Sequence, residues 1–167
     1  MSTTHFRTID SPVGLLTLAG RNSTLNHLRM VGQTHEPNRA GWELNDHAFP
    51  DAVEQLAAYF AGDLTTFDLD LELVGTDFQR RVWAALQTIP YGETRSYGEI
   101  AIQIGAAGAS RAVGLANGRN PIGIIVPCHR VIGASGSLTG YGGGLDRKRA
   151  LLELEKSRKP AVFTLFD

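Results

Sequence analysis

Hydrophobic positions repeat with two different periods along the chain. Across residues 66–73 they alternate strictly, with Phe67, Leu69, Leu71 and Leu73 set against Asp68, Asp70 and Glu72. A period of two predicts a half-buried strand. Residues 6–9 and 15–19 are strand-like runs on either side of Asp10-Ser11-Pro12-Val13-Gly14, which reads as a turn. Residues 25–31 follow after a second turn, so the three runs predict an antiparallel meander. Residues 32–49 are polar with no period and read as a long connection. Pro50 and Asp51 then open a predicted helix. Asp51 and Glu54 have capping-box spacing, Val53, Leu56, Ala57 and Phe60 form the apolar face, and Gly62 suits the stop.

Beyond residue 75 the period changes to that of a helix. Thr76 and Gln79 have capping-box spacing ahead of Phe78, Val82, Leu86 and Ile89, and Pro90 ends that run. Ser96 and Glu99 cap a helix over 97–104. Gly105-Ala106-Ala107-Gly108 is a turn, and a further helix over 109–117 stops at Gly118. Two short helices around a glycine turn make a helix-turn-helix candidate. Residues 122–126 form a short apolar run ending at Pro127. Asp146 caps a last helix through Ala150, Leu151 and Leu154, with Glu155 on a neighbouring turn.

Composition narrows the classes. With 43% hydrophobic and 20% charged residues the chain is an ordinary globular mix, which argues against disorder. A single cysteine excludes a disulfide framework and a cysteine-rich zinc site. No apolar stretch is long enough for a membrane span and no signal-peptide layout opens the chain, so a soluble cytoplasmic protein without membrane association is expected. The net charge of −1 hides an asymmetry: residues 1–75 carry 4 basic and 10 acidic side chains, and residues 76–167 carry 12 and 7. That split predicts two regions, 1–75 and 76–167, the second suited to a polyanion.

The reactive groups concentrate at Val126-Pro127-Cys128-His129-Arg130-Val131. Cys128 is the only thiol, and the thiolate is the form that attacks. A neighbouring imidazole and guanidinium favour the thiolate. In an extended segment, however, consecutive side chains point to opposite faces, so His129 reaches the sulfur only across a bend or through a water. One cysteine and one histidine do not fill a metal site. The glycines from Gly136 to Gly144 lack the Lys-Ser/Thr of a phosphate loop and read as backbone that approaches a ligand closely.

Asn120-Pro121, then Ile124-Ile125-Val126-Pro127-Cys128-His129-Arg130-Val131-Ile132-Gly133, Gly140-Tyr141 and Leu151-Leu152-Glu153-Leu154-Glu155 resemble the signature of the O6-alkylguanine-DNA alkyltransferases. Pro90-Tyr91-Gly92-Glu93-Thr94-Arg95-Ser96-Tyr97 and Ser110-Arg111-Ala112-Val113-Gly114 agree with that family's helix-turn-helix. The likeness is close over 76–156 and loose over 1–75.

The resemblance implies an α+β fold. A small ribonuclease H-like antiparallel sheet with a helix (1–75) precedes a mainly helical DNA-binding and alkyl-acceptor domain (76–167). It implies direct-reversal repair without a cofactor. Cys128 takes the alkyl group from guanine O6 in duplex DNA once and keeps it. By resemblance, His129 activates the thiol through a bridging water, Glu155 orients His129, and Asn120 holds the turn before the acceptor. Tyr97 faces the base and Tyr141 lines the alkyl pocket. Val131 and Gly142 offer backbone groups to the base edge, Gly142 standing where some relatives carry serine. Arg111 fills the space left by the flipped nucleotide, and Ala112 and Gly114 let the helix press into the minor groove. The expected partner is duplex DNA with O6-alkylguanine, met by a monomer, with cooperativity along DNA left open.

No cysteine stands in residues 1–75, so the structural zinc of some relatives is not expected. Two other readings compete. Alkyltransferase-like lesion-binding proteins lack the acceptor cysteine, which this chain has. A cysteine hydrolase needs an oxyanion hole, for which no motif speaks.

Overall fold

The computed structural model describes residues 3–158. Three antiparallel strands open it, β1 (His5–Ile9), β2 (Leu16–Arg21) and β3 (Thr24–Met30), as the meander pattern predicts. The first turn closes through Gly14 N–H to Ser11 O (3.0 Å), with Gly14 at φ +97°, where a side chain is strained. A two-residue strand, β4 (Glu43–Leu44), pairs in parallel with β1 and gives the sheet order β3-β2-β1-β4. It interrupts the connection expected over 32–49; two residues are too few to leave a period.

Helix α1 (Pro50–Phe60) follows. The expected capping box does not form: the cap is Phe49 in the left-handed region, with no side-chain cap bond, because Asp51 already lies inside the first turn. Its inward face is Ala52, Leu56 and Tyr59, and Ala57 is exposed, so the stripe is rotated from the one expected. The stop at Gly62 does form. Gly62 donates to Tyr59 O (3.0 Å) and Asp63 to Ala58 O (2.9 Å), a Schellman closure.

Residues 66–73 alternate between half-buried apolar and exposed acidic side chains as expected, yet they do not build a strand. Only Leu25 pairs with Leu71, through Leu25 N–H to Asp70 O (3.0 Å) and Glu72 N–H to Leu25 O (2.9 Å). Alternation reports one wet face and one dry face; it does not report a ladder.

The remaining chain is α2 (Asp77–Leu86), β5 (Arg95–Ser96), α3 (Tyr97–Gln103), α4 (Ser110–Gly118), β6 (Val131–Ile132) and α5 (Leu145–Arg158). The other two predicted capping boxes form, Thr76 with Gln79 and Ser96 with Glu99. Helices α3 and α4 pack together across a turn whose Gly105 and Gly108 have positive φ. Asp146 sits within the first turn of α5 rather than ahead of it. Among the described residues no helix is long and apolar enough to cross a membrane.

A continuous apolar cluster runs from Leu18 and Leu28 of the sheet through Trp83 and Leu86 to Val113, Ile122 and Leu151. Strand β3 would otherwise be a bare sheet edge. Leu28 donates to Pro121 O (3.0 Å) and accepts from Gly123 N–H (3.2 Å), so that edge grips the segment leading to Cys128. Leu28→Ala should lower stability by about 2–5 kcal/mol, because the side chain is fully buried where sheet and acceptor segment meet. Urea unfolding measures this; a loss below about 1 kcal/mol would show that the contact relaxes without a cavity.

Candidate active site

The chain enters the site through a tightly wound segment. Buried Asn120 accepts from Ile122 N–H at Oδ1 (3.0 Å) and donates from Nδ2 to Val126 O (2.8 Å). Between these anchors the backbone makes two three-residue turns, Ile125 N–H to Gly123 O and Cys128 N–H to Val126 O, both 2.8 Å. The first holds Ile124 at φ +70°, an unfavourable conformation for a β-branched residue, kept by its complete burial. The second centres on Pro127, whose ring restricts φ near the observed −83°. Residues Cys128–Arg130 then form one 3-10 turn. The extended segment expected here is therefore corrected: a helical turn sets the side-chain directions.

Helix α5 supplies the other wall. Lys148, Leu151 and Glu155 are spaced to share one face, and all three are fully buried. Glu155 is the hub. Its Oε2 accepts from Tyr59 OH (2.5 Å), His129 Nε2 (2.6 Å) and Arg130 (3.1 Å). Its Oε1 accepts from Arg130 Nε (2.8 Å) and Gly92 N–H (3.4 Å). Arg130 also donates to Ile89 O (2.7 Å). Burial pushes the Glu155 carboxyl up, but the hydrogen bonds from His129 and Arg130 and the charge of Arg130 outweigh it and hold it at about 2. Burial lowers His129, against the pull of Glu155, so the ring is neutral. A carboxylate only accepts, so Nε2 carries the hydrogen. Nδ1 is left as a buried lone pair with no partner among the described residues.

The guanidinium and the imidazole next to Cys128 both turn to Glu155, so the expectation that Arg130 acts on the thiol is corrected. The thiol is 7% exposed, and burial pushes it up. The opposing influences are a hydrogen bond with Asn120, the charge of Lys148 and a hydrogen bond with the Tyr141 hydroxyl. Among the described residues no three His, Cys, Asp or Glu side chains converge as a metal site would.

A cavity of about 570 Å³ opens in front of Tyr141. Its walls are Tyr97, Arg111 and Gly114 from α3 and α4, Thr139 to Gly142 from the glycine loop, and Thr34 and His35 from the N-terminal region. Arg111 is exposed at its rim, and Tyr97 donates to Thr139 O (3.2 Å). One expected pocket residue, Val131, stands elsewhere, and Ala112, expected on the DNA-facing helix surface, is exposed outside the cavity. Ala112 lines a neighbouring hollow with His35 and Phe78. Val131 is fully buried behind the wall, its carbonyl taken by Lys148. Gly142 does approach another group closely, but that group belongs to the protein: a Cβ there would lie 3.1 Å from Thr34 Oγ1, and Thr34 N–H donates to Gly142 O (3.1 Å).

Two family models together cover the chain. Residues 77–157 match the 6-O-methylguanine DNA methyltransferase DNA binding domain, and residues 4–73 match the ribonuclease-like domain of the same family. The chain belongs to the 6-O-methylguanine DNA methyltransferase family. It is 74% identical to the methylated-DNA–protein-cysteine methyltransferase of Mycobacterium tuberculosis, over 98% of this chain and 99% of that one. The counterpart from Mycolicibacterium paratuberculosis is 73% identical over the same shares. A crystal structure of the M. tuberculosis protein in complex with DNA superposes with a TM-score of 0.90 at 72% identity, covering 98% of this chain and 99% of that chain.

This member of the methyltransferase family places five further residues at the site. Nothing in the local sequence marks Tyr59 or Lys148 as a buried polar group. Thr34 and His35 sit in a stretch without a period. Asn117, in the last turn of α4, donates to Cys128 O (3.3 Å). Only the seven-residue spacing of Lys148 from Glu155 could have drawn attention.

The depressed Glu155 carboxyl has a direct consequence. The unfolded chain takes up its proton first, near 4.5, so the stabilisation is complete above that pH and is lost as pH falls towards about 2. The difference is worth about 3 kcal/mol. Glu155→Gln should flatten this acid limb. It should also lower stability near pH 7 by about 3–5 kcal/mol, because Arg130 is left buried without its counter-charge. Urea unfolding across the acid range reads both, and an unchanged acid limb in the variant would assign the limb to other carboxylates.

Proposed function

We propose that the chain repairs O6-alkylguanine in duplex DNA by a single, irreversible transfer of the alkyl group to Cys128. The enzyme class, a methylated-DNA–protein-cysteine methyltransferase, follows from family membership. The observation that carries the mechanism is the buried imidazole of His129, hydrogen-bonded at Nε2 to Glu155 with Nδ1 without a partner among the described residues, next to the only cysteine of the chain. The Nδ1 lone pair takes the thiol proton through a bridging water. The sulfur then forms a bond to the alkyl carbon as the carbon–O6 bond breaks, and the electron pair leaves on the guanine. The proton held by His129 balances the one the departing base takes up. The thioether does not leave, so each molecule acts once.

The cavity between Tyr97, Arg111, Tyr141 and Gly142 is the place for the extruded base, with Tyr97 facing the developing charge. A stacked guanine cannot reach a buried sulfur, so the nucleotide must be flipped. Exposed Arg111 is placed to fill the gap, with Ala112 and Gly114 as the small surface of a helix in the minor groove. DNA binding is supported by the M. tuberculosis relative, which is crystallised in complex with DNA. In this reading residues 76–167 are the DNA-binding and acceptor unit, and residues 1–75 brace it.

Intact mass after mixing with duplex carrying one O6-methylguanine should rise by one methylene on Cys128 and saturate at one per protein. Tight lesion binding without any gain would instead make the chain a non-enzymatic lesion binder. Cys128→Ala should keep DNA binding and lose transfer entirely, and residual transfer in that variant would sink the mechanism. Arg111→Ala should slow transfer from duplex by roughly tenfold or more, since unstacking a base costs a few kcal/mol. Free alkylguanine base should be affected less, and equal losses on both substrates would remove the finger role.

A further inference from the structure

The acceptor reading leaves one question open. His129 and Arg130 both face Glu155, yet a thiol sealed from water needs a positive charge if it is to ionise. Beside the acceptor turn, one buried cation among the described residues has no part in the relay. Lys148 is fully buried, without a carboxylate partner among the described residues. Its ammonium donates to Val131 O (2.5 Å) and to Thr139 O (2.8 Å). Val131 ends the acceptor turn, its N–H donating back to Cys128 O. Thr139 stands in the cavity wall, where its carbonyl also accepts from Tyr97 OH, and the ammonium lies 6.0 Å from the Tyr97 ring centre. One charged group thus joins the acceptor turn, the glycine loop and the cavity tyrosine.

We propose that Lys148 is a positioning residue of the acceptor: its ammonium is the counter-charge of the Cys128 thiolate and the tie that holds the loop of the cavity wall against the acceptor turn. The proposal rests on the reading of Cys128 as alkyl acceptor. Lys148 gives up no proton in the transfer; it lowers the energy of the ionised sulfur before attack. The mutual influence runs both ways: the Lys148 charge favours the thiolate, and the Cys128 charge favours the ammonium against the burial that draws it down to about 8. The other titratable groups facing this pair are Tyr97 from α3, Tyr141 from the loop, His129 from the turn, and Arg147 and Glu155 from α5. Burial pushes the Tyr141 hydroxyl well up and His129 down, so neither carries a charge near pH 7. Arg147 is turned to Val31 O and Gly143 O, and Glu155 is paired with Arg130, so among the described residues Lys148 is the charge that acts on the sulfur.

The single cysteine makes the test unambiguous. The rate at which iodoacetamide modifies Cys128 is measured against pH, alongside methyl transfer from O6-methylguanine duplex followed by intact mass. In Lys148→Met the acid limb of the iodoacetamide profile should move to higher pH by about one unit or more, and the rate near pH 7 should fall about tenfold per unit moved. Lys148→Arg keeps the charge, so its limb should stay in place even if its rates drop. If Lys148→Met fails to fold, Lys148→Gln carries the same test, since it keeps N–H donors without charge. A neutral variant that is slower by the same factor at every pH, its limb unmoved, overturns the proposal and leaves Lys148 a purely structural tie. Wild-type protein that never gains a methyl on Cys128 overturns the acceptor reading instead, a separate outcome of the same experiment.

Discussion

A carboxylate with no access to water must have its charge and its lone pairs answered by the protein, and the arrangement around Glu155 follows from that requirement. Its oxygens accept from Tyr59 of α1, His129 and Arg130 of the acceptor turn, and the backbone of Gly92. These donors come from positions 59, 92 and 129–130, so satisfying the anion at 155 draws together parts of the chain that are distant in sequence. Removing a partner from such a group is far more damaging than its net contribution suggests, because a buried charge is left behind. The same anion selects the tautomer of His129, so the constraint that organises the fold also prepares a base.

Opposite charges at two levels of one helix give the site its polarity. Glu155 neutralises Arg130 and orients His129, and Lys148, two turns earlier on the same face of α5, lies on the side of the sulfur and the cavity. Leu151 between them is fully buried and keeps the two charges apart in an apolar layer. In a medium of low dielectric constant such placements act over several ångströms, where water would screen them.

The N-terminal region does more than cover an apolar face. Strand β3 binds the backbone of 121–123 along its free edge, and residues 33–34 fill the space that a side chain at Gly142 would take. Met30 does the same at Gly143, where a Cβ would lie 2.6 Å from its sulfur. The glycines of the cavity loop are thus explained in part by close approach of the protein's own chain.

Much of this protein was legible in its sequence. The meander, the capping boxes of α2 and α3, the glycine stop of α1 and the two helices around Gly105 and Gly108 follow from local patterns, because turns, caps and periods are settled within a few residues. The cluster at Cys128 and its likeness to a known family marked the site, and Glu155 was within reach through that likeness. Tertiary structure alone decided the rest. Alternation over 66–73 gave one bridge instead of a strand, since pairing depends on which edge is free. Tyr59 and Lys148 became buried polar groups because distant acceptors satisfy them, and no window of sequence contains those acceptors. Arg130 turned from the thiol to Glu155 because the strongest available anion lay there. Local order is written in neighbouring residues, whereas burial, charge pairing and the direction of a side chain are set by what the fold brings beside it.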